Sequence, residues 1–96
     1  MIELSESWYS FYQENLRLTP TLRVKAEKFL KRDFDKIAEF PVVDVVRIDG
    51  TKYILEDGSW VLLRLSGTEP LLRIIAESES KEKAKELVKW LKRRVD

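Results

Sequence analysis

The sequence predicts an α+β fold, a two-layer sandwich in which an antiparallel sheet carries two helices packed on one face. Three observations lead there. Two segments repeat apolar residues at helical three- and four-residue steps, one near each end of the chain. Between them lies a run of short extended segments, two of whose joints are Asp49-Gly50 and Asp57-Gly58, the dipeptide that most strongly marks a hairpin. The resulting order of strand, helix, four-strand meander and helix is most economically closed by placing both helices on one side of the sheet. With 96 residues, of which 44% are hydrophobic, residues 1–96 read as a single domain, large enough for one core and too small for two.

The elements follow in order. Trp8 to Leu18 is rich in aromatic residues and has no helical stripe, so a strand is predicted over Tyr9 to Leu18 after a short helical turn. Thr19-Pro20 supplies a helix N-cap and a proline at the first helical position. Leu22, Ala26, Phe29, Leu30, Asp33 and Ile37 then recur at helical spacing, and the helix is predicted to stop near Glu39 because Phe40 precedes Pro41. Extended segments are predicted over Val42 to Ile48, Thr51 to Glu56, Ser59 to Leu65 and Leu71 to Glu77. Ser80 caps a last helix reaching Val95, with the stripe Ala84, Leu87, Val88, Leu91 and Val95, and Lys92, Arg93 and Arg94 suit its negative end.

Composition removes several chemistries. The chain has no cysteine and no histidine, which excludes a Cys nucleophile, a Ser-His-Asp triad, a His or Cys zinc site and any disulfide. The 18 basic and 17 acidic residues leave a formal charge of +1, which argues against a chain built mainly to hold a polyanion. No apolar run is long enough for a membrane span, and the acids in Met1 to Glu6 are unlike a signal peptide, so a cytoplasmic location with no membrane partner is expected. A charged fraction of 36%, with Asn, Gln and Met each appearing once, points to a thermophilic source.

One loop concentrates functional groups: Arg64-Leu65-Ser66-Gly67-Thr68-Glu69-Pro70-Leu71-Leu72-Arg73. The register of the flanking strands decides whether its arginines cooperate, because a slip of one residue turns every side chain to the other face. Opposing Leu65 to Leu71 splits the apolar residues between faces. Opposing Leu65 to Leu72 pairs Leu63 with Ile74 and Val61 with Ala76, which gathers the apolar residues on one face and sets Arg64 opposite Arg73. Like charges facing each other across a ladder cost up to about 1 kcal/mol, so the pair suits an anion. Gly67 brings backbone N–H groups close to a ligand, Ser66 and Thr68 donate hydroxyl hydrogens, and the guanidinium forks match phosphate oxygens. With no general base nearby, the site reads as a clamp for a phosphate that does not itself react. The bland alternative is a solvated arginine face and an ordinary hairpin loop, and the residues alone leave both open.

Arg64-x-Ser66-Gly67-Thr68-Glu69-Pro70-x-x-Arg73, preceded by Asp57-Gly58-Ser59-Trp60 and followed by Ile74-Ile75-Ala76-Glu77, resembles the signature of the C-terminal domain of the alpha-D-phosphohexomutases, which include phosphoglucomutases and phosphomannomutases. From about Ile48 to Val95 the order of elements follows that domain, and the first forty residues agree in layout. The resemblance implies one domain of a four-domain intramolecular phosphotransferase that interconverts hexose 1-phosphate and 6-phosphate through a bisphosphorylated sugar. In that family the domain closes over the active site and its loop holds the phosphate distal to the reacting one. Carried over by position, the phosphate contacts are Arg64, Ser66, Gly67, Thr68 and Arg73, while Glu69 and Pro70 shape the loop. The phosphorylated serine, the magnesium loop and the sugar-selecting loop belong to the other domains. The resemblance thus implies a hexose phosphate (glucose or mannose phosphate) and the remaining domains of the parent enzyme as partners. Magnesium is expected for the parent enzyme, and no catalytic residue, cofactor or metal in this chain, which alone is expected to be inactive. Arg73-Ile74-Ile75-Ala76-Glu77 looks more like the glucose and mannose mutases than the phosphoglucosamine branch.

The helix from Ser80 to Val95 holds Lys81, Lys83, Lys85, Lys89, Lys92, Arg93 and Arg94, and the layout resembles that of TATA-binding proteins, so a nucleic-acid-binding domain is one alternative. Those cations alternate with Glu82 and Glu86 around a polar face, the pattern of a solvated amphipathic helix, and no nucleic acid partner is expected. A stand-alone binding module for small phosphorylated ligands is the other alternative. The acids Asp33, Asp35, Asp44, Asp49 and Asp57 lack metal-loop spacing and read as surface and turn residues. In the chosen register Trp60, Leu62 and Ile75 share the arginine face, either covered by the N-terminal segment or open as an interface to other domains.

Overall fold

Alternation and helical periodicity sort the chain into eight elements in the computed structural model, which describes residues 9–95. They are β1 (Ser10–Arg17), α1 (Pro20–Leu30), β2 (Lys36–Ile37), β3 (Phe40–Val46), β4 (Thr51–Leu55), β5 (Trp60–Leu65), β6 (Leu71–Ser78) and α2 (Lys81–Val95). The strands form one antiparallel sheet in the order β1-β6-β5-β4-β3-β2. The expected two-layer α+β sandwich is therefore present, with the first strand closing the meander by pairing along its last one. The helical turn expected before β1 lies outside the described residues.

One face of the sheet makes the core. Val61, Leu63, Leu72, Ile74 and Ala76 are fully buried against Ala26 and Phe29 of α1 and Ala84, Leu87, Val88 and Leu91 of α2. The helix starts follow the local signals: Thr19 Oγ1 accepts from Leu22 N–H at 3.1 Å, and Ser80 Oγ accepts from Lys83 N–H at 3.1 Å. Glu14 on β1 then ties the sheet to α2. Its carboxylate accepts from Tyr12 O–H at 2.5 Å and meets Lys92 at 2.7 Å and Lys89 at 3.0 Å.

The first helix ends at Leu30 rather than near Glu39, and Ile37 belongs to a strand. Tertiary contacts override the periodicity. Phe34 leaves the helical path to pack among Phe29, Tyr53 and Trp90, at ring separations of 5.4, 5.6 and 5.4 Å. The freed carbonyls find donors on the sheet: Leu30 O accepts from Thr51 Oγ1 (2.5 Å) and Arg47 Nε (3.1 Å), and Arg32 O from Tyr53 O–H (2.6 Å). Burial pushes the Tyr53 hydroxyl up to about 12, so it stays a donor. The extra strand β2 joins β3 through Ala38 (φ 51) and Glu39 (φ 74), a two-residue turn in the left-handed region. Such a turn ordinarily uses Asn or Gly, so Ala-Glu gives no sequence signal for it. The strand expected to reach Ile48 ends at Val46, and Ile48 is exposed.

Glu14 makes a pH prediction. Hydrogen bonds from Lys92, Tyr12 and Lys89 lower its pKa from 4.5 to about 2. A carboxyl depressed on folding adds stability above its unfolded value and loses it as pH falls through the folded one. Stability is therefore expected to fall between about pH 4.5 and pH 2. Glu14→Gln should cost about 1–2 kcal/mol at pH 7, after allowing for the half-exposed lysines, and little at pH 2. Urea unfolding of both proteins across this range checks it, and an unchanged difference between them would refute the assignment.

Candidate functional site

Pairing of β5 with β6 runs Val61–Ala76, Leu63–Ile74, Arg64–Arg73 and Leu65–Leu72, the register that gathers the apolar residues on one face. Because Leu63 and Ile74 face the helices, Arg64 and Arg73 stand opposite each other on the open face. Arg64 is exposed and Arg73 half-buried. Among the described residues, no acidic side chain pairs with either guanidinium.

The connecting loop is shaped from within. Ser66 N–H donates to Leu71 O at 3.0 Å, Leu71 N–H to Glu69 O at 2.7 Å, and Leu18 N–H to Pro70 O at 2.7 Å, which moors the loop to the end of β1. Glu69 and Pro70 thus act through their carbonyls, consistent with a shaping part. Ser66 Oγ accepts from the N–H groups of Thr68 at 3.3 Å and Glu69 at 3.2 Å, which leaves its O–H as a donor. Arg64, Leu65, Ser66, Gly67, Thr68 and Arg73 together line a cavity of about 270 Å³. All five residues singled out in the sequence, Arg64, Ser66, Gly67, Thr68 and Arg73, therefore meet around one space.

Two glycines differ in what they are for. A Cβ on Gly67 would meet nothing within 4 Å, so no contact of the fold requires glycine there. At Gly50, by contrast, φ is +119° and a Cβ would stand 2.4 Å from Leu63 O. That contact is with backbone and cannot yield cheaply.

Two residues near the site escape a reading of the loop alone. Asn15 lies directly across β6 from Arg73, and Arg17 lies across from Leu71, so both share the open face with the arginine pair. The polar alternation of Asn15 and Arg17 was visible in the chain, yet their place beside the loop depends on the pairing of strands about sixty residues apart. Elsewhere on that face Trp60 Nε1–H donates to Glu77 at 2.7 Å, Phe11 meets the Trp60 ring edge-on at 6.1 Å, and Lys52 lies 4.5 Å from its centre. β1 extends the sheet beside this face instead of crossing over it.

The basic helix is partly spoken for. Lys89 and Lys92 share Glu14, Lys83 meets Asp57, and Arg94 lies over the Trp90 ring at 3.6 Å.

A family model described as phosphoglucomutase/phosphomannomutase, C-terminal domain, matches residues 22–93, a stretch that contains the whole loop. The chain belongs to this family. It is 41% identical over 69 residues to "Probable phosphoglucosamine mutase" of Methanosphaera stadtmanae, a match covering 72% of this chain and 14% of that protein. It is 51% identical over 51 residues to "Phosphoglucomutase/phosphomannomutase" of Thermococcus kodakarensis, covering 53% and 11% of the two chains. A "Phosphopentomutase" of the same organism is 44% identical over 46 residues, covering 48% and 10%. The matched stretch is thus a small part of each relative's length. These names divide among glucosamine, glucose or mannose, and pentose phosphate mutases.

The glycine contrast is testable without any ligand. Gly50→Ala should cost about 2–3 kcal/mol in urea unfolding, from left-handed strain and the clash with Leu63 O. Gly67→Ala should leave stability unchanged or raise it by up to about 1 kcal/mol, since its backbone suits other residues. Equal losses at the two positions would contradict this division.

Proposed function

We propose that this chain is the phosphate-clamp and lid domain of a sugar-phosphate mutase. In this reading Arg64, Ser66, Gly67, Thr68 and Arg73 hold the phosphate that is not being transferred. The observation that carries the reading is the placement of two arginines face to face beneath a hydroxyl-bearing loop. Two planar forks and a short row of O–H and N–H donors match the geometry and charge of a phosphomonoester. The open space over Gly67 lets a ligand approach the backbone.

A clamp of this kind contributes by positioning. Holding one phosphate fixes the distance and direction of the other end of the sugar, so that phosphoryl transfer there becomes an event between placed groups. The donor, the metal and the general base for the transfer are assigned to the remaining domains of the parent enzyme. The magnesium implied for that enzyme is likewise assigned to the other domains; among the described residues no three or more His, Cys, Asp or Glu side chains gather as a metal group. The substrate class is a hexose phosphate such as glucose or mannose phosphate. Trp60, Leu62 and Ile75 extend the same face away from the clamp and are assigned to contact with the other domains. No described helix is long and apolar enough to cross a membrane.

The reading is tested by titrating the amides of Ser66 to Arg73 with glucose 1-phosphate by NMR. Binding on an open surface is expected near millimolar, about 4 kcal/mol. It should strengthen from about pH 5 to pH 7.5, because arginine stays charged while the phosphate gains its second charge near pH 6, and it should weaken with salt. Arg73→Lys should weaken it several-fold by losing the fork, whereas Lys89→Ala should change little. Shifts confined to α2, or equal effects of the two substitutions, would move the site to the basic helix.

A further inference from the structure

The clamp cavity has a neighbour. A second cavity of about 370 Å³ is lined by Leu30 at the end of α1, Asp49 and Gly50 in the β3–β4 turn, and Arg64, Leu65 and Gly67. The last three line both cavities, so the two adjoin around Arg64, Leu65 and Gly67.

The turn that carries Asp49 is closely fixed. Gly50 lies so near β5 that a Cβ there would come within 2.4 Å of Leu63 O and 3.3 Å of the Arg64 Cα and Cβ. On either side of the turn, Arg47 and Thr51 donate to Leu30 O at 3.1 and 2.5 Å. Asp49 itself adopts φ 57°, a left-handed conformation that aspartate tolerates better than most residues. Its backbone is thus placed by contacts to α1 and β5 together.

An ionised carboxylate only accepts hydrogen bonds. It repels a phosphate and attracts hydroxyl donors. Asp49 therefore complements a different part of the ligand from the one Arg64 and Arg73 suit. With a hydroxyl acceptor and the apolar residues Leu30 and Leu65 next to an anion clamp, the two cavities match a phosphate ester whose body carries several hydroxyls. We propose that Asp49 is a specificity-determining residue of the same site, accepting hydrogen bonds from hydroxyls of the sugar whose phosphate lies in the loop. This inference rests on the phosphate-clamp reading and adds the element that separates a sugar phosphate from a bare phosphate ester.

The test compares three probes on the full chain by loop-amide NMR titration: inorganic phosphate, methyl phosphate and glucose 1-phosphate. The native chain should favour glucose 1-phosphate over methyl phosphate by at least about threefold, the effect of a hydrogen bond to a partly solvated charge. Asp49→Gly, which accepts the left-handed turn, should erase that preference, and Asp49→Asn, which keeps the shape, should reduce it. Both variants should hold methyl phosphate within about twofold of the native chain or more tightly, since a repelling charge is gone. A native chain without the preference, or a preference that survives Asp49→Gly, would overturn the role of Asp49 and leave the clamp intact. Failure of all three probes to move the loop amides would instead remove the clamp reading itself.

Discussion

The pairing of Leu65 with Leu72 governs the site, because it decides which side chains the sheet buries and which it presents. Placing Leu63 and Ile74 beneath the helices leaves Arg64 and Arg73 no choice but to face each other on the other side. The apolar face supplies the driving force for this register, with five of its residues on these two strands fully buried. Mutual repulsion of the guanidiniums opposes it by about 1 kcal/mol at most, less than burial of one leucine contributes and far less than the whole apolar face does. The fold therefore tolerates an arrangement that is unfavourable in the free chain. In the proposed function an anion reverses that penalty.

Two further constraints hold the loop in place around this register. Pro70 O accepts from Leu18 N–H, so the far end of the loop is tied to the junction of β1 and α1. On the near side, the Asp49-Gly50 turn presses against Leu63 and Arg64, and Arg47 and Thr51 flanking that turn donate to the last carbonyl of α1, Leu30 O. The first helix, the β3–β4 hairpin and the base of the loop thus form one connected unit.

Much of this was legible in the sequence for identifiable reasons. The register followed from alternation, since of the pairings Leu65–Leu71 and Leu65–Leu72 only the second keeps Val61, Leu63, Leu72, Ile74 and Ala76 on one face. Thr19, Ser80, Asp49-Gly50 and Asp57-Gly58 marked their boundaries through local hydrogen bonding and backbone preference. The failures were non-local. Asp33 and Ile37 fit a helical period, but the Phe34 cluster and the donors on Arg47, Thr51 and Tyr53 are distant in sequence and end the helix at Leu30. The Ala38-Glu39 turn has no glycine or asparagine to announce it. Asn15 and Arg17 reach the site only because β1 pairs with β6, and Asp49 read as a turn residue before its cavity beside Arg64 was in view.

In the proposed clamp Arg64 and Arg73 oppose each other at a cost that a bound phosphate reverses. A double-mutant cycle with Arg64→Gln, Arg73→Gln and the double variant, followed by urea unfolding, measures their coupling directly. The cycle is run twice at equal ionic strength, once in chloride and once in inorganic phosphate well above millimolar, so that general screening is matched. The expected result is an unfavourable coupling of up to about 1 kcal/mol in chloride that vanishes or changes sign in phosphate. A coupling that is the same in both salts, or favourable in chloride, would contradict it.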